Sequence, residues 1–424
     1  MALIYNATFD KNTRKLSFED KAGNEIYSFT VPERVPVDDI TKPLTFKATQ
    51  NGSTVTLKQN GSPTGSFQTS NDGGKTWVNY TLNTAIALNI GDEVSFRAKA
   101  DRTSAQTSQN YFQFMMTGKI EAWHNVMSLY RTNDFATYDT VVNYAFAYMF
   151  KVCKSLTKAP ILPATTLAVA CYDRMFSDCL SLTKAPVLPA TTLFDYCYQS
   201  MFSGCSSLTK APALPATTLS SWCYCYMFYG CKSLTKAPAL PATTLASSCY
   251  ESMFSGCSSL TEAPALPATT LARNCYYDMF GCCESLTKAP DLPATTLAQS
   301  CYNGILYNCY SLTKAPDLPA TTLALDCYGY MFYGCRSLTK VPALPATTLA
   351  PMCYRGMFSD CQSLKEVRIS ATTKTGSDAL TNWLKGVAAT GDFYCDPDAT
   401  IFPTDSVSGI PANWKRHNIA DYPN

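Results

Sequence analysis

Cysteine is the most reactive residue type that this sequence uses in a regular pattern. The chain of 424 residues contains 20 cysteines, and most of them recur after every 26 residues. One column consists of Cys153, Cys179, Cys205, Cys231, Cys257, Cys283, Cys309, Cys335 and Cys361, and the other of Cys171, Cys197, Cys223, Cys249, Cys275, Cys301, Cys327 and Cys353. Such columns can form a ladder of disulfides, bind metal ions, or place a small apolar side chain at a fixed buried position.

The rest of the sequence favours packed thiols over the other two chemistries. A structural zinc site needs about four convergent ligands, and the chain adds only two histidines, His124 and His417. Side chains at the same position of stacked repeats point in the same direction, which suits packing better than bridging. We therefore predict buried free thiols, keep a partial disulfide ladder as the alternative, and expect no metal and no cofactor.

A third column consists of lysines, whose positive charges could bind acidic groups. It contains Lys158, Lys184, Lys210, Lys236, Lys288, Lys314 and Lys340, and Glu262 and Glu366 hold the same position in two other units. Stacked strands would space these charges roughly 5 Å apart. One interpretation is a solvated stripe that protects a sheet edge. The other is a strip that binds an acidic polysaccharide, lipopolysaccharide phosphate or an acidic protein face.

Aromatic residues occur at fixed and at changing positions of the repeat. A tyrosine follows the earlier cysteine in every unit from Tyr172 to Tyr354, and this column is predicted to belong to the core. Aromatics at changing positions are candidate ligand-binding residues, because tyrosine and tryptophan often dominate binding energy; the alternative is drift at exposed positions. These candidates are Trp222, Tyr226, Tyr229, Tyr307, Tyr310, Tyr330 and Tyr333.

Catalytic motifs give no support for an enzyme. The chain has no nucleophile elbow, phosphate-binding loop or dinucleotide fingerprint. Residues 70–77, SNDGGKTW, fit the Asp-box pattern of sialidases and other β-proteins. Its residues are those of a local turn, in which Asp72 accepts backbone hydrogen bonds and Trp77 packs beneath. The formal net charge of +2 argues against a nucleic-acid partner.

The elements that must position these columns repeat with the same period. Nine units run from about residue 142 to 367, and a period of 20 to 29 residues with fixed leucines is typical of a leucine-rich-repeat solenoid. SLTKAPAL alternates apolar residues and predicts a strand and a turn. CYxxMFxGC places apolar residues at helical spacing, which predicts a short helix. The expected fold is a mixed α/β solenoid of nine coils, each a strand, a turn and a short helix.

The pattern LP-ATTLA-xx-CY-xx-MF-xx-C-x-SL resembles the BspA-type leucine-rich repeat. The resemblance covers about 225 residues, and the chain departs from it in its longer unit and in Met-Phe for Ala-Phe. It implies a surface protein that binds host proteins or other cells. The flanking regions also resemble, more loosely, proteins encoded by gut Bacteroidales and their phages.

Composition changes divide the chain into four predicted regions. Residues 1–39 form a β-hairpin or attachment segment, and residues 40–127 form an Ig-like β-sandwich, because short alternating segments are separated by turn signals. Residues 128–367 form the solenoid, and residues 368–424 form a C-terminal cap with one helix and a last strand. The first residues lack the features of a secretory signal, and no apolar run is long enough to insert into a membrane.

These observations together predict a non-enzymatic recognition protein. The leading hypothesis is a phage virion appendage, a tail or capsid fibre that folds in the host cytoplasm and binds a glycan or protein of the bacterial surface. Residues 1–127 would then bind other virion proteins, and the chain could form homo-oligomers. The alternatives are a bacterial surface adhesin located outside the cell and a purely structural spacer.

Overall fold

The structure is a computed structural model, and it describes residues 38–102, 106–404, 406 and 408–422, Ala22, and the backbone of three strands nearer the N-terminus. The chain divides into two compact units, Met1–Asp39 and Ile40–Asn424. The first unit contains an antiparallel sheet of β1 (Asn6–Asp10), β2 (Lys15–Glu19) and β3 (Glu25–Thr30), in that order. The hairpin expected in this region corresponds to β2 and β3, and β1 adds a strand that was not predicted.

The second unit begins with two facing sheets. The larger sheet has the order β12-β11-β4-β9-β6-β7 and the smaller one the order β10-β5-β8. The strands are β4 (Thr45–Ala48), β5 (Ser53–Asn60), β6 (Phe67–Ser70), β7 (Val78–Tyr80), β8 (Ile86–Leu88), β9 (Glu93–Ala98), β10 (Tyr111–Thr117), β11 (Ile120–Trp123) and β12 (Leu156–Lys158), and a 3₁₀ helix (Val126–Leu129) follows β11. Phe46, Phe96 and Phe114 fill the space between the sheets, with ring centroids 4.6 to 5.6 Å apart.

The sandwich and the repeats share one core. Strand β12 belongs to the first repeat, and it pairs in parallel with β11 of the sandwich. The ring of Phe114 stacks at 5.4 Å on Phe150, which is the first phenylalanine of a column that continues along the repeats. The sandwich therefore covers the apolar end of the array, which an isolated repeat stack would expose.

The segment predicted as a short helix is not a helix, and this prediction was wrong. Residues 169–179 form overlapping turns in which alternate amides bond within the coil and to the next coil. The Met175 amide donates to the Tyr172 carbonyl at 3.1 Å, whereas the Phe176 amide donates to the Met201 carbonyl at 2.9 Å. A helix would direct every amide to the carbonyl four residues earlier. Here half of the amides join one coil to its neighbour.

Left-handed backbone at every fourth residue produces this turn ribbon. In one coil φ is +53° at Ala170, +52° at Arg174 and +61° at Asp178. Helix residues all have negative φ, so three such residues in nine prevent a helix. The third position is glycine in several coils, including Gly204 and Gly256, because glycine adopts positive φ without steric cost. The apolar spacing that mimics a helix instead reflects the inward-facing positions of the ribbon.

The strand predicted in each coil is also shorter than expected. Outside β12, the SLTKAP segments make single parallel bridges, such as Lys184 with Lys210 and Lys314 with Lys340. The second threonine of ATTL makes a similar series, such as Thr166 with Thr192. The two prolines of each unit lack the N–H that a continuous ladder needs, so pairing stops after one residue.

Stacked columns of identical side chains form the interior of the repeats. From Tyr172 to Tyr354 the tyrosine rings stack at 5.8 to 6.1 Å, and Trp383 ends this column. A parallel column of phenylalanines, such as Phe202 and Phe228, stacks at about the same spacing. Leucine, methionine and cysteine columns fill the remaining space. Each coil thus buries its apolar residues only against its neighbours, as a solenoid requires.

The C-terminal residues continue the coil geometry. Strands β14 (Glu366–Arg368), β16 (Gly391–Cys395) and β17 (Trp414–Asn418) form a parallel sheet, and β13 (Thr348–Leu349) pairs with β15 (Thr373–Lys374). The helix expected here is replaced by turns, and among the described residues of this region the only helix is a short 3₁₀ helix (Ile419–Asp421). The indole N–H of Trp383 donates to the Gly409 carbonyl at 3.0 Å, 26 residues further on. In the described residues no helix is of a length and apolarity to cross a bilayer.

Candidate functional site

The cysteine columns are packed thiols. All twenty cysteines lie among the described residues, each is a free thiol, and all except Cys282 are buried. In the column from Cys153 to Cys361, every thiol after Cys153 donates to a backbone carbonyl of the preceding coil, as Cys205 does to Phe176 at 3.1 Å, and Cys153 donates to Phe114 of the sandwich. Burial raises the pKa of Cys205 to about 12, so the reactive thiolate does not form near neutral pH. Within the described part of the chain, no three histidine, cysteine or acidic residues are placed to hold a metal ion.

The lysine row is solvent-exposed and evenly spaced. Lys184, Lys210, Lys236, Lys288, Lys314 and Lys340 are all exposed. Two neighbouring pairs, Lys184 with Lys210 and Lys314 with Lys340, meet at the parallel bridges described above, one coil apart. Lys158 differs, because its ammonium lies 3.0 Å from the centre of the Trp123 ring, at the junction with the sandwich. Glu262 interrupts the row and pairs with Lys288 at 3.0 Å.

A shallow hollow lies beside this row and combines both charges. It has a volume of about 310 Å³, and Lys288 and Lys314 line it together with Asp291 and Asp317. Those aspartates occupy a position that is alanine in several other coils. The row is therefore a uniform positive strip only over its N-terminal half, from Lys184 to Lys236.

Six of the seven aromatic candidates lie on the turn ribbon, and Tyr310 directly follows the ribbon after Cys309. Trp222, Tyr226 and Tyr330 have φ between +51° and +60°, and their side chains are half-buried. Tyr229 is 45% exposed. The Trp222 ring stacks at 6.0 Å on Tyr196 of the preceding coil. We call the outward side of this ribbon the turn face.

Two groups of aromatic rings form on the turn face. In the first, Tyr226 and Tyr229 make a T-shaped pair with centroids 5.7 Å apart. In the second, Tyr330 and Tyr333 repeat that pair at 6.2 Å, and Tyr307 stacks on Tyr333 at 4.8 Å. Tyr310 lies beside these, with the guanidinium of Arg336 4.9 Å from its ring centre. The structure thus brings six of the seven aromatic candidates together as two groups separated along the array, whereas Trp222 stacks on Tyr196.

Carboxylates near the two groups were missed by the sequence reasoning. Glu251, Asp278 and Asp326 occupy turn-face positions that hold serine, glycine or tyrosine elsewhere. Burial raises the pKa of Asp278 to about 6, although Ser255 and Ser252 hydrogen-bond its ionised form, and the charge of Glu251 adds to the increase. Burial likewise raises the pKa of Asp326, which accepts hydrogen bonds from Asn303 at 2.8 Å and Ser300 at 3.2 Å. The sequence signal that could have identified these carboxylates is their location at positions that change from repeat to repeat.

The Asp-box residues form a closed local turn. Asp72 accepts hydrogen bonds from Ser70 and from the hydroxyl and amide of Thr76, and the Trp77 indole donates to the Gly74 carbonyl at 2.9 Å. The Ser70 and Thr76 hydroxyls hold the pKa of Asp72 well below its usual range. All of these contacts join residues of the turn to one another, so they stabilise the turn itself.

Comparison with known proteins places the repeats in a family. The sequence matches the BspA type leucine rich repeat region over residues 136–236, 172–313, 224–348 and 278–385, which together make up more than half of the chain. The chain belongs to this family. BspA type leucine rich repeat proteins are typically non-enzymatic, bind other proteins and are common at cell surfaces, so membership indicates a protein-interaction or adhesive role for this chain. No curated protein and no solved structure gave a significant match.

Proposed function

We propose that the chain is a non-enzymatic recognition protein whose turn face binds a glycan or protein of a bacterial surface. One observation carries this proposal. The constant cysteine, tyrosine, methionine and phenylalanine positions of the ribbon are buried, whereas aromatic residues at changing positions are collected on the turn face. A rigid framework that presents exposed aromatics at fixed spacing is the arrangement expected of a binding surface.

The lysine row is a second binding surface in this proposal. Its uniform half, from Lys184 to Lys236, attracts acidic groups such as the phosphates of lipopolysaccharide. Because these side chains are fully solvated, binding there should weaken as salt is added. Binding through the turn-face aromatics should respond much less to salt.

The finer form of the proposal is a virion appendage that attaches to other virion proteins through residues 1–127. The twenty free thiols support it, since a virion protein folds in the reducing cytoplasm of its host. The other form is an adhesin of a bacterial cell surface, as is common in this family. Mass spectrometry of purified virions distinguishes them, because virions without this chain exclude the appendage and leave the recognition function untouched.

The recognition function itself is tested by binding to bacterial cells. The purified protein is labelled and incubated with a panel of strains at low and high salt. A variant with the seven lysines of the row changed to serine should lose the salt-dependent part of the binding. Retention by no strain and by no immobilised glycan or protein would favour a structural spacer instead.

A further inference from the structure

The two T-shaped tyrosine pairs are copies of one feature placed four coils apart. Tyr226 and Tyr330 hold the same repeat position, and so do Tyr229 and Tyr333. The two pairs have similar geometry, with interplanar angles of 68° and 62°. Since neighbouring coils stack in register, the pairs face the same way at a separation of roughly 20 Å.

Small residues occupy the same two rows between the pairs. One row carries Ser252, Asp278 and Gly304, and the other carries Ser255 and Gly281 before Tyr307. All of these except Asp278 and Tyr307 are buried, so they lie level with the ribbon while the tyrosine rings rise above it. These two rows therefore form a low segment between the tyrosine pairs, and Tyr277 of the adjacent row, which is 36% exposed, lies beside it.

We propose that this segment and its two tyrosine pairs bind one linear polysaccharide without acidic groups, laid along the array. This inference rests on the proposed recognition function and names its ligand class. The exposed faces of the tyrosine rings stack against the C–H faces of sugars. The half-buried carboxylate of Asp278 accepts hydrogen bonds from sugar hydroxyls, and its charge, together with that of Glu251, opposes a polyanion.

A polymer that reaches both pairs gains affinity from their linkage. Binding at the first pair holds the chain near the second, and such linkage can raise affinity by about 10² to 10⁴ without any new contact. The gain depends on the four-coil separation, because the solenoid is rigid. The flanking residues also differ, since Glu251 accepts a hydrogen bond from Tyr226 at 3.5 Å whereas the Arg355 guanidinium lies 5.5 Å from the ring centre of Tyr330. This difference gives the bound chain a preferred direction.

The test removes one coil in two different places. Deletion of residues 236–261 keeps both pairs and Asp278, and it shortens the separation of the pairs to three coils. The matched control, deletion of residues 184–209, removes one coil outside the pairs and leaves their separation unchanged. Both deletions join identical repeat positions, and thermal unfolding of each variant checks that the array still folds.

Binding is measured on an immobilised mannan, β-glucan, galactan and arabinan, with heparin as a polyanion, and on short fragments of whichever polymer binds. We expect the inner deletion to lower polymer affinity at least about 30-fold relative to the control deletion, with fragment affinity unchanged. Equal polymer affinity of the two deletion variants would overturn the inference while leaving the recognition function intact. Preferential binding to heparin, or to none of the four neutral polymers, would also overturn the ligand class; the recognition function then depends on the cell-binding result.

Discussion

Removal of one buried hydroxyl from the tyrosine column should stabilise the array. Tyr276 is 1% exposed, and its hydroxyl is buried without a hydrogen-bond partner. Its ring stacks at 5.8 Å on both Tyr250 and Tyr302, with the planes within 5° of parallel. Tyr276→Phe keeps both stacking contacts and removes only the unpaired polar group.

The magnitude follows from the cost of burying a polar group without a partner. That cost is about 1–3 kcal/mol, and the small void left by the oxygen offsets part of the gain. We therefore expect Tyr276→Phe to raise the free energy of unfolding by about 1 kcal/mol. Tyr276→Ala removes the ring as well and should lower it by about 4 kcal/mol.

Denaturant unfolding followed by circular dichroism measures both changes. Tyr250→Phe is the matched control, because the Tyr250 hydroxyl is not one of the buried unpartnered groups, and it should change the midpoint little. A decrease in stability of 1 kcal/mol or more for Tyr276→Phe, with an unchanged denaturant slope, would show that the hydroxyl is bonded and refute the reasoning.

Three further predictions concern the acids, the turn ribbon and the thiols. Asp278, whose pKa of about 6 in the folded state exceeds its ordinary 3.8, contributes stability that is present below about pH 4 and lost as the pH rises through 6. Asp278→Asn should therefore remove at most about 3 kcal/mol of the pH dependence of unfolding between pH 4 and 7, and an unchanged pH profile would contradict this. Gly256, with φ of +75°, should tolerate asparagine better than alanine, because Asn308 holds the same position at +55°. Thermal unfolding should show that Gly256→Ala lowers the free energy of unfolding by about 1 kcal/mol relative to the wild type. A thiol reagent should titrate no more than Cys282 in the folded protein and all twenty cysteines after unfolding, whereas early reaction of several thiols would argue against packed columns.

The period of the sequence predicted the family and the core, and the structure shows why. A 26-residue repeat of leucine, cysteine and tyrosine leaves few ways to bury those side chains other than stacking identical positions. The stack of tyrosines from Tyr172 to Tyr354 is the direct result. The free thiols follow from the same in-register packing.

Local structure within the coil was predicted less well, for a physical reason. The spacing of Cys171, Tyr172, Met175 and Phe176 fits one face of a helix, and it fits the inward positions of a ribbon of turns equally well. The positive φ angles at Ala170, Arg174 and Asp178 distinguish the ribbon of turns from a helix. In the sequence, only the glycines at the equivalent positions of other coils indicate these positive φ angles. The buried environment of Asp278 depends on neighbours 26 residues away, so its altered pKa could not be read from adjacent residues.

The central claim is that the turn-face aromatics carry the part of recognition that does not depend on salt. The most direct measurement compares cell binding by the wild type with binding by a variant in which Tyr226, Tyr229, Tyr330 and Tyr333 are changed to serine, a residue that other coils use at these positions. Our account predicts that this variant keeps the wild-type melting temperature within a few degrees and, at high salt where the lysine row is screened, loses at least about 90% of the bound cells, since such anchors dominate binding. Wild-type binding by the folded variant would contradict the account.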